Sequence, residues 1–281
     1  MIVIIGKGGG LAVLYKKLIM EKILLALDAL NLNTNTIDFG CYIARLTHSR
    51  LTGIFLEGLK EERPVFVATE EGTATVETNI HRFREACVCR ETLSLVHRDR
   101  GVPLSEIIAE SRFADLIIID PETAFNRKDA LFPGRFVKDV LRSVECPVLI
   151  APYSGGDMDE IIFAYDGSPS SVFAIRQFAH LFPDLRSTPV TIVSIRDDEG
   201  PGIEEQFKMK EWLRAHFDTL HFDVRHGGGA SDQLFAYLIE RKNAIVVMGA
   251  YGRNEVSNFF RPSHANLLVK TVNLPIFIAH P

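Results

Sequence analysis

The chain has 281 residues, 47% hydrophobic and 24% charged, with a formal net charge of −5 and a pI near 6.0. That length exceeds one ordinary α/β domain and suits two. The hydrophobic share excludes a disordered tail, and the acidic balance leaves no basic face to make nucleic acid the main partner.

Residues 1–19 read unlike the rest. Their apolar start has no positive region before it, is too short to span a membrane and carries no cleavage signal, so they are expected to be an upstream extension outside the native fold. Gly6-Lys7-Gly8-Gly9-Gly10 lacks the Gly-Lys-Ser/Thr ending of a phosphate loop. From Met20 onward apolar runs alternate with helical periodicity. Strands are predicted near 22–27, 51–56, 93–97, 115–119 and 147–150, with helices near 35–48, 73–90, 103–112 and 134–143. A turn-forming cluster, Pro152-Tyr-Ser-Gly-Gly-Asp157, follows. Strands are then predicted near 161–165, 190–195, 221–225, 244–248 and 276–279, with helices near 170–181, 203–217, 231–242 and 263–273.

The second series repeats the first. Ile23-Leu-Leu-Ala-Leu-Asp28 returns as Ile161-Ile-Phe-Ala-Tyr-Asp166, and Cys146-Pro147-Val-Leu-Ile-Ala returns as Leu274-Pro275-Ile-Phe-Ile-Ala. The offset falls from 138 to 128 between these matches, which places an insert in the first copy near 60–80. The expected organisation is one unit over 20–152 and a second over 158–281. Alternating strands and helices with right-handed crossovers imply two doubly wound, parallel, five-stranded sheets of flavodoxin or Rossmann type. Ligands of such sheets sit where the strand order reverses. Asp28 and Asp166 end first strands; Asp120 and Gly249 end fourth strands, and these strands are expected to flank the reversal in a flavodoxin-like order.

The most informative stretch is 244–263. A fully apolar run, read as a buried parallel strand, stops at Gly249. Gly252 follows, and Pro262-Ser263 opens a helical pattern. Glycines at a strand end let backbone amides approach a ligand, and a helix start favours phosphate. Arg253 and Arg261 flank the loop, either pairing with phosphate oxygens or standing as solvated charges. Asp166-Gly-Ser-Pro-Ser-Ser can accept hydrogen bonds from a nucleoside or serve as a capping turn. In the first copy Asp120-Pro-Glu-Thr123 replaces the glycine loop. Asp120 and Glu122 would repel phosphate, so no nucleotide is expected there.

Residues 249–263 resemble the signature Gly-x2-Gly-x9-Gly-(Ser/Thr) of the universal stress proteins, and with the repeat the resemblance covers about 20–281 as a tandem member. Gly249, Gly252 and Ser263 match; Pro262 stands in place of the third glycine. The resemblance implies the adenine-nucleotide alpha hydrolase-like fold, a stress-response role in the cytoplasm, and ATP, with Mg²⁺ accompanying it, held by Gly249, Gly252 and Ser263 with Asp166 beside the nucleoside. It also implies fifth strands that pair across a two-fold, here within one chain as a pseudo-dimer, with a homo-oligomer still open. Proline has no N–H to donate. Losing one hydrogen bond to a charged group costs about 1.5–3 kcal/mol, so binding is expected to be weakened roughly ten- to a hundredfold.

No Ser-His-Asp set, paired carboxylates or metal spacing can be placed, which points away from an enzyme. Cys87-Val-Cys89 is the one close cysteine pair among Cys41, Cys87, Cys89 and Cys146, and inert thiols in a reducing compartment are expected rather than a metal site. Regulation through unidentified protein partners is the leading expectation. The alternatives are an interaction scaffold that has lost nucleotide binding and an adenylating enzyme. The latter would need a Ser-Gly-Gly-x-Asp-Ser loop that both first-strand loops lack.

Overall fold

The computed structural model describes residues 2–5, 11–14, 20–58, 69–99, 101–125, 134–154, 158–196, 203–226, 230–249 and 273–281. Ten strands form one mixed sheet. They are β3 (Lys22–Asp28), β4 (Arg50–Leu56), β5 (Ser94–Asp99), β6 (Leu116–Ile119), β7 (Val148–Ile150), β8 (Glu160–Tyr165), β9 (Val190–Arg196), β10 (Leu220–His226), β11 (Ala244–Gly249) and β12 (Ile276–Ala279). Their spatial order is β10-β9-β8-β11-β12-β7-β6-β3-β4-β5. Every neighbouring pair is parallel except β7 with β12, which run antiparallel with Leu149 opposite Phe277. The two five-stranded sheets expected from the sequence are thus one surface, joined along their fifth strands.

Within each half the order is third, second, first, fourth, fifth. This is the Rossmann-type order, not the flavodoxin-like one, and it puts the first strand directly beside the fourth. The reversal therefore falls between β3 and β6 and again between β8 and β11. Residues 2–5 (β1) and 11–14 (β2), where no strands were predicted, form a separate antiparallel pair.

The strands are apolar on consecutive residues because both faces are covered. Ile23, Leu25 and Leu27 enter one core, Leu24 and Ala26 the other; Ile161 and Phe163 are likewise opposed to Ile162. The first core packs under α1 (Thr34–Leu46), α2 (Glu70–Cys89), α5 (Pro169–Leu181) and α6 (Ile203–Arg214). The second lies under α3 (Pro103–Ser111), α4 (Arg135–Ser143) and α7 (Ala230–Leu238). Each core holds residues from both halves. Phe277 of β12 meets Phe178 and Phe182 of the α5 region edge-on at 5.3 and 6.1 Å.

Helix starts follow local chemistry. Asn33, Thr69 and Ser168 cap α1, α2 and α5 through side-chain oxygens, and Pro103 and Pro169 occupy first-turn positions. Part of the first copy's extra length lies in α2, 20 residues against 12 in α6. Helix α7 stops at Leu238 rather than 242, and the chain turns through Asn243 at φ 52°. A short 3-10 turn at Pro183–Leu185 was not anticipated. The helix expected over 263–273 lies outside the described residues but for Asn273. No helix among the described residues is long and apolar enough to cross a membrane.

Candidate functional site

In the second half, β8 runs out at Tyr165 and the chain must reverse at once into α5. Asp166 forms the turn, its Oδ1 accepting from the Ser168 amide at 2.9 Å. Gly167 supplies a φ of 82° that other residues adopt at a cost. Ser168 caps the helix, its Oγ accepting from the Ser171 amide at 3.1 Å, while the Ser171 hydroxyl donates back to the Ser168 carbonyl at 2.9 Å. The segment is a capping turn, and its carboxylate stands at the end of β8 beside the crossover.

Gly249 ends the neighbouring strand β11 against that same first helical turn. A Cβ there would lie 2.4 Å from the Ser170 carbonyl carbon and 2.5 Å from the Ser171 nitrogen. The close approach that Gly249 permits is of strand to helix. Asp166 and Gly249 are thus brought together around the α5 N-terminus. Gly252, Arg253 and Ser263, with Pro262 and Arg261, lie outside the described residues.

Sequence reasoning missed the wall beside Asp166. A cavity of about 480 Å³ opens between α5 and α6, lined by Tyr165, Ile175 and Trp212 and by the exposed cations Arg176 and Lys208. The single Trp on a predicted helix was the only hint, because helical periodicity does not reveal which neighbour a face will meet.

The first half is built differently at the equivalent place. Asp120 occupies the position of Gly249. Its Oδ2 accepts from the Thr36 hydroxyl at 3.0 Å and from the Asn33 side-chain amide, and its Oδ1 accepts from the Glu122 amide at 2.7 Å. The carboxylate thus sits at the N-terminus of α1, where the helix dipole favours negative charge. Asp28 accepts from the amides of Leu30 and Asn31 and from the Asn31 side chain. Between them is a cavity of about 300 Å³ lined by Asp28, Asp120 and Glu122 with Asn31, Asn33 and Thr36. The Tyr153 hydroxyl donates to Glu122 at 3.3 Å, and burial, followed by that carboxylate, raises the phenol pKa. The same connector is latched to the second half, where the Asn273 side chain accepts from the Tyr153 and Ser154 amides at 2.7 and 3.2 Å.

No protein-family model matches the sequence, and no curated protein matches it significantly. Solved structures do. A universal stress protein from Archaeoglobus fulgidus superposes with a TM-score of 0.71 at 19% identity, over 92% of this chain and 98% of that one. A functionally unknown protein from Pseudomonas aeruginosa superposes with a TM-score of 0.59 at 15% identity, over 93% of both. The strand order, the paired fifth strands and this full-length superposition give the chain the universal stress protein fold, carried twice along one sheet.

Proposed function

We propose that the protein is a tandem member of the universal stress family that holds an adenine nucleotide weakly in its second half and acts through protein partners. The observation that carries this reading is the asymmetry at the two crossovers. In the second half Asp166 and Gly249 surround a helix start beside an open cavity with aromatic walls and two cations. In the first half the equivalent helix start is already occupied by Asp120. ATP, with Mg²⁺, is the ligand the motif fits. Asp166 would face the nucleoside, Gly249 would let the strand end pack on the start of α5, Gly252 would open the loop after it, and Arg253 and Ser263 would meet phosphate. Two carboxylates and Glu122 make the first-half cavity hostile to phosphate.

On this reading the protein is not an enzyme, works in the cytoplasm, and uses its β7–β12 seam as an internal pseudo-dimer contact; further self-association is compatible with it. A nucleotide at about tenfold excess over its Kd stabilises the fold by ~1.4 kcal/mol, a rise in melting temperature of about 2–4 °C. Melting the protein with and without millimolar ATP and Mg²⁺ tests this. Such a shift, reduced in Arg253→Ala and in Asp166→Ala, is expected. An unchanged midpoint at millimolar ATP would favour the second reading, an interaction scaffold without nucleotide, which Pro262 and the first half's chemistry support.

A further inference from the structure

Cys41 of α1 and Cys87 of α2, 46 residues apart in sequence, meet in the core with their sulfurs 3.8 Å apart. Both are buried and reduced. The sequence offered Cys87 and Cys89 as the cysteine pair, but the fold turns Cys89 outward and pairs Cys87 across the helix interface instead. A disulfide needs the sulfurs at about 2.05 Å, so closure calls for a contraction of roughly 2 Å.

The pair lies one helical turn from solvent-reaching groups. Asp38 and Arg90, three residues from Cys41 and Cys87, form an ion pair at 2.5 Å with side chains 44% and 33% exposed. Beyond it the end of α2 carries exposed apolar side chains around the buried Cys87. Val88 and Leu93 are 75% and 77% exposed, and Glu91 takes a positive φ of 53°. Local opening of a helix end costs less than global unfolding, and opening here would uncover both thiols.

We propose that Cys41 and Cys87 are a redox modification site, closing under peroxide to a reversible disulfide that staples α1 to α2. The hydrogen bond between the two thiols lowers the pKa of Cys41, helped by Thr92 and Arg90 against burial, and raises that of Cys87. Either sulfur can attack first with the same products; Cys41 serves as the attacking one in this balance. Its thiolate takes one peroxide oxygen as the O–O bond breaks, giving a sulfenic acid and hydroxide, which leaves as water with the proton of Cys87. The Cys87 thiolate then attacks the Cys41 sulfur; the S–S bond forms, the S–O bond breaks, and hydroxide departs as a second water with the proton lost by Cys41. The two thiols lose two electrons in total and the peroxide gains them. A small dithiol reverses the change. Cys146, whose thiol burial pushes up to about 12, stays out of the reaction.

The full chain, reduced and then treated with hydrogen peroxide, tests this by alkylation of remaining thiols and non-reducing peptide mass mapping. The expected result is a Cys41–Cys87 cross-linked peptide, two hydrogens lighter than its reduced halves. A melting midpoint raised by several degrees should return on adding dithiothreitol. Cys89→Ser should keep both effects and Cys41→Ser should lose both; if that variant does not fold, Cys87→Ala takes its place. Cys41 and Cys87 still free when Cys89 is fully oxidised, a cross-link that runs through Cys89, or a cross-link that leaves the midpoint unmoved would each overturn the proposal.

Discussion

Gly249 shows how much one missing carbon decides. Its backbone is packed against the Ser170–Ser171 peptide so closely that any side chain displaces α5 from β11. Gly249→Ala is therefore expected to destabilise the fold by about 1–3 kcal/mol, as overpacked cores do, and urea unfolding would register it. Asp120, at the matching place, is tied to α1 through two side-chain hydrogen bonds. The sequence made these two positions correspond and made their charges differ, but not that one is a packing device and the other a bridge, since both depend on where a helix start lies in space. A different carboxylate carries a pH prediction. Asp99 closes β5 with Oδ2 buried and unpaired among the described residues. Burial, and then the charge of Glu110, raises its pKa. A raised folded-state pKa penalises the ionised form, so stability falls as pH rises from the unfolded value near 4 through the folded one. Asp99→Asn should thus be more stable than the parent at pH 7, and the gap should close below about pH 4, read as urea midpoints at the two pH values.

At the scale of elements the seam between β7 and β12 matters most. Three residue pairs join the halves there, Ile276 with Ile150, Phe277 with Leu149 and Ile278 with Val148. Phe277 also fills the aromatic cluster under α5. Phe277→Ala should cost about 3–5 kcal/mol, measured by denaturant unfolding, and should lower the single transition of the whole chain rather than split it, because both cores draw on both halves. The apolar runs ending at Asp28, Asp120, Asp166 and Gly249 were legible because a strand covered on both faces leaves an unbroken apolar signature. The sheet order was less so. Periodicity marks a strand without naming its neighbour, which is why a flavodoxin-like order was expected and a Rossmann-type one found. The thiol pair stayed hidden for the same reason, since Cys41 and Cys87 become neighbours only when α1 and α2 pack side by side.

For the molecule as a whole, a duplicated unit has diverged into one half with a partly cationic cavity between α5 and α6, next to the turn that follows β8, and one whose crossover is bridged by its own carboxylate. The repeat was readable because matched runs recur in order; the cavity beside Asp166 was not, because Tyr165, Arg176, Lys208 and Trp212 come from three separate elements. The most direct test of this asymmetry is the stoichiometry of nucleotide binding. Isothermal titration of the full chain with ATP and Mg²⁺ should give one weak site per chain, whereas two sites per chain, or no heat of binding at millimolar nucleotide, would contradict the account.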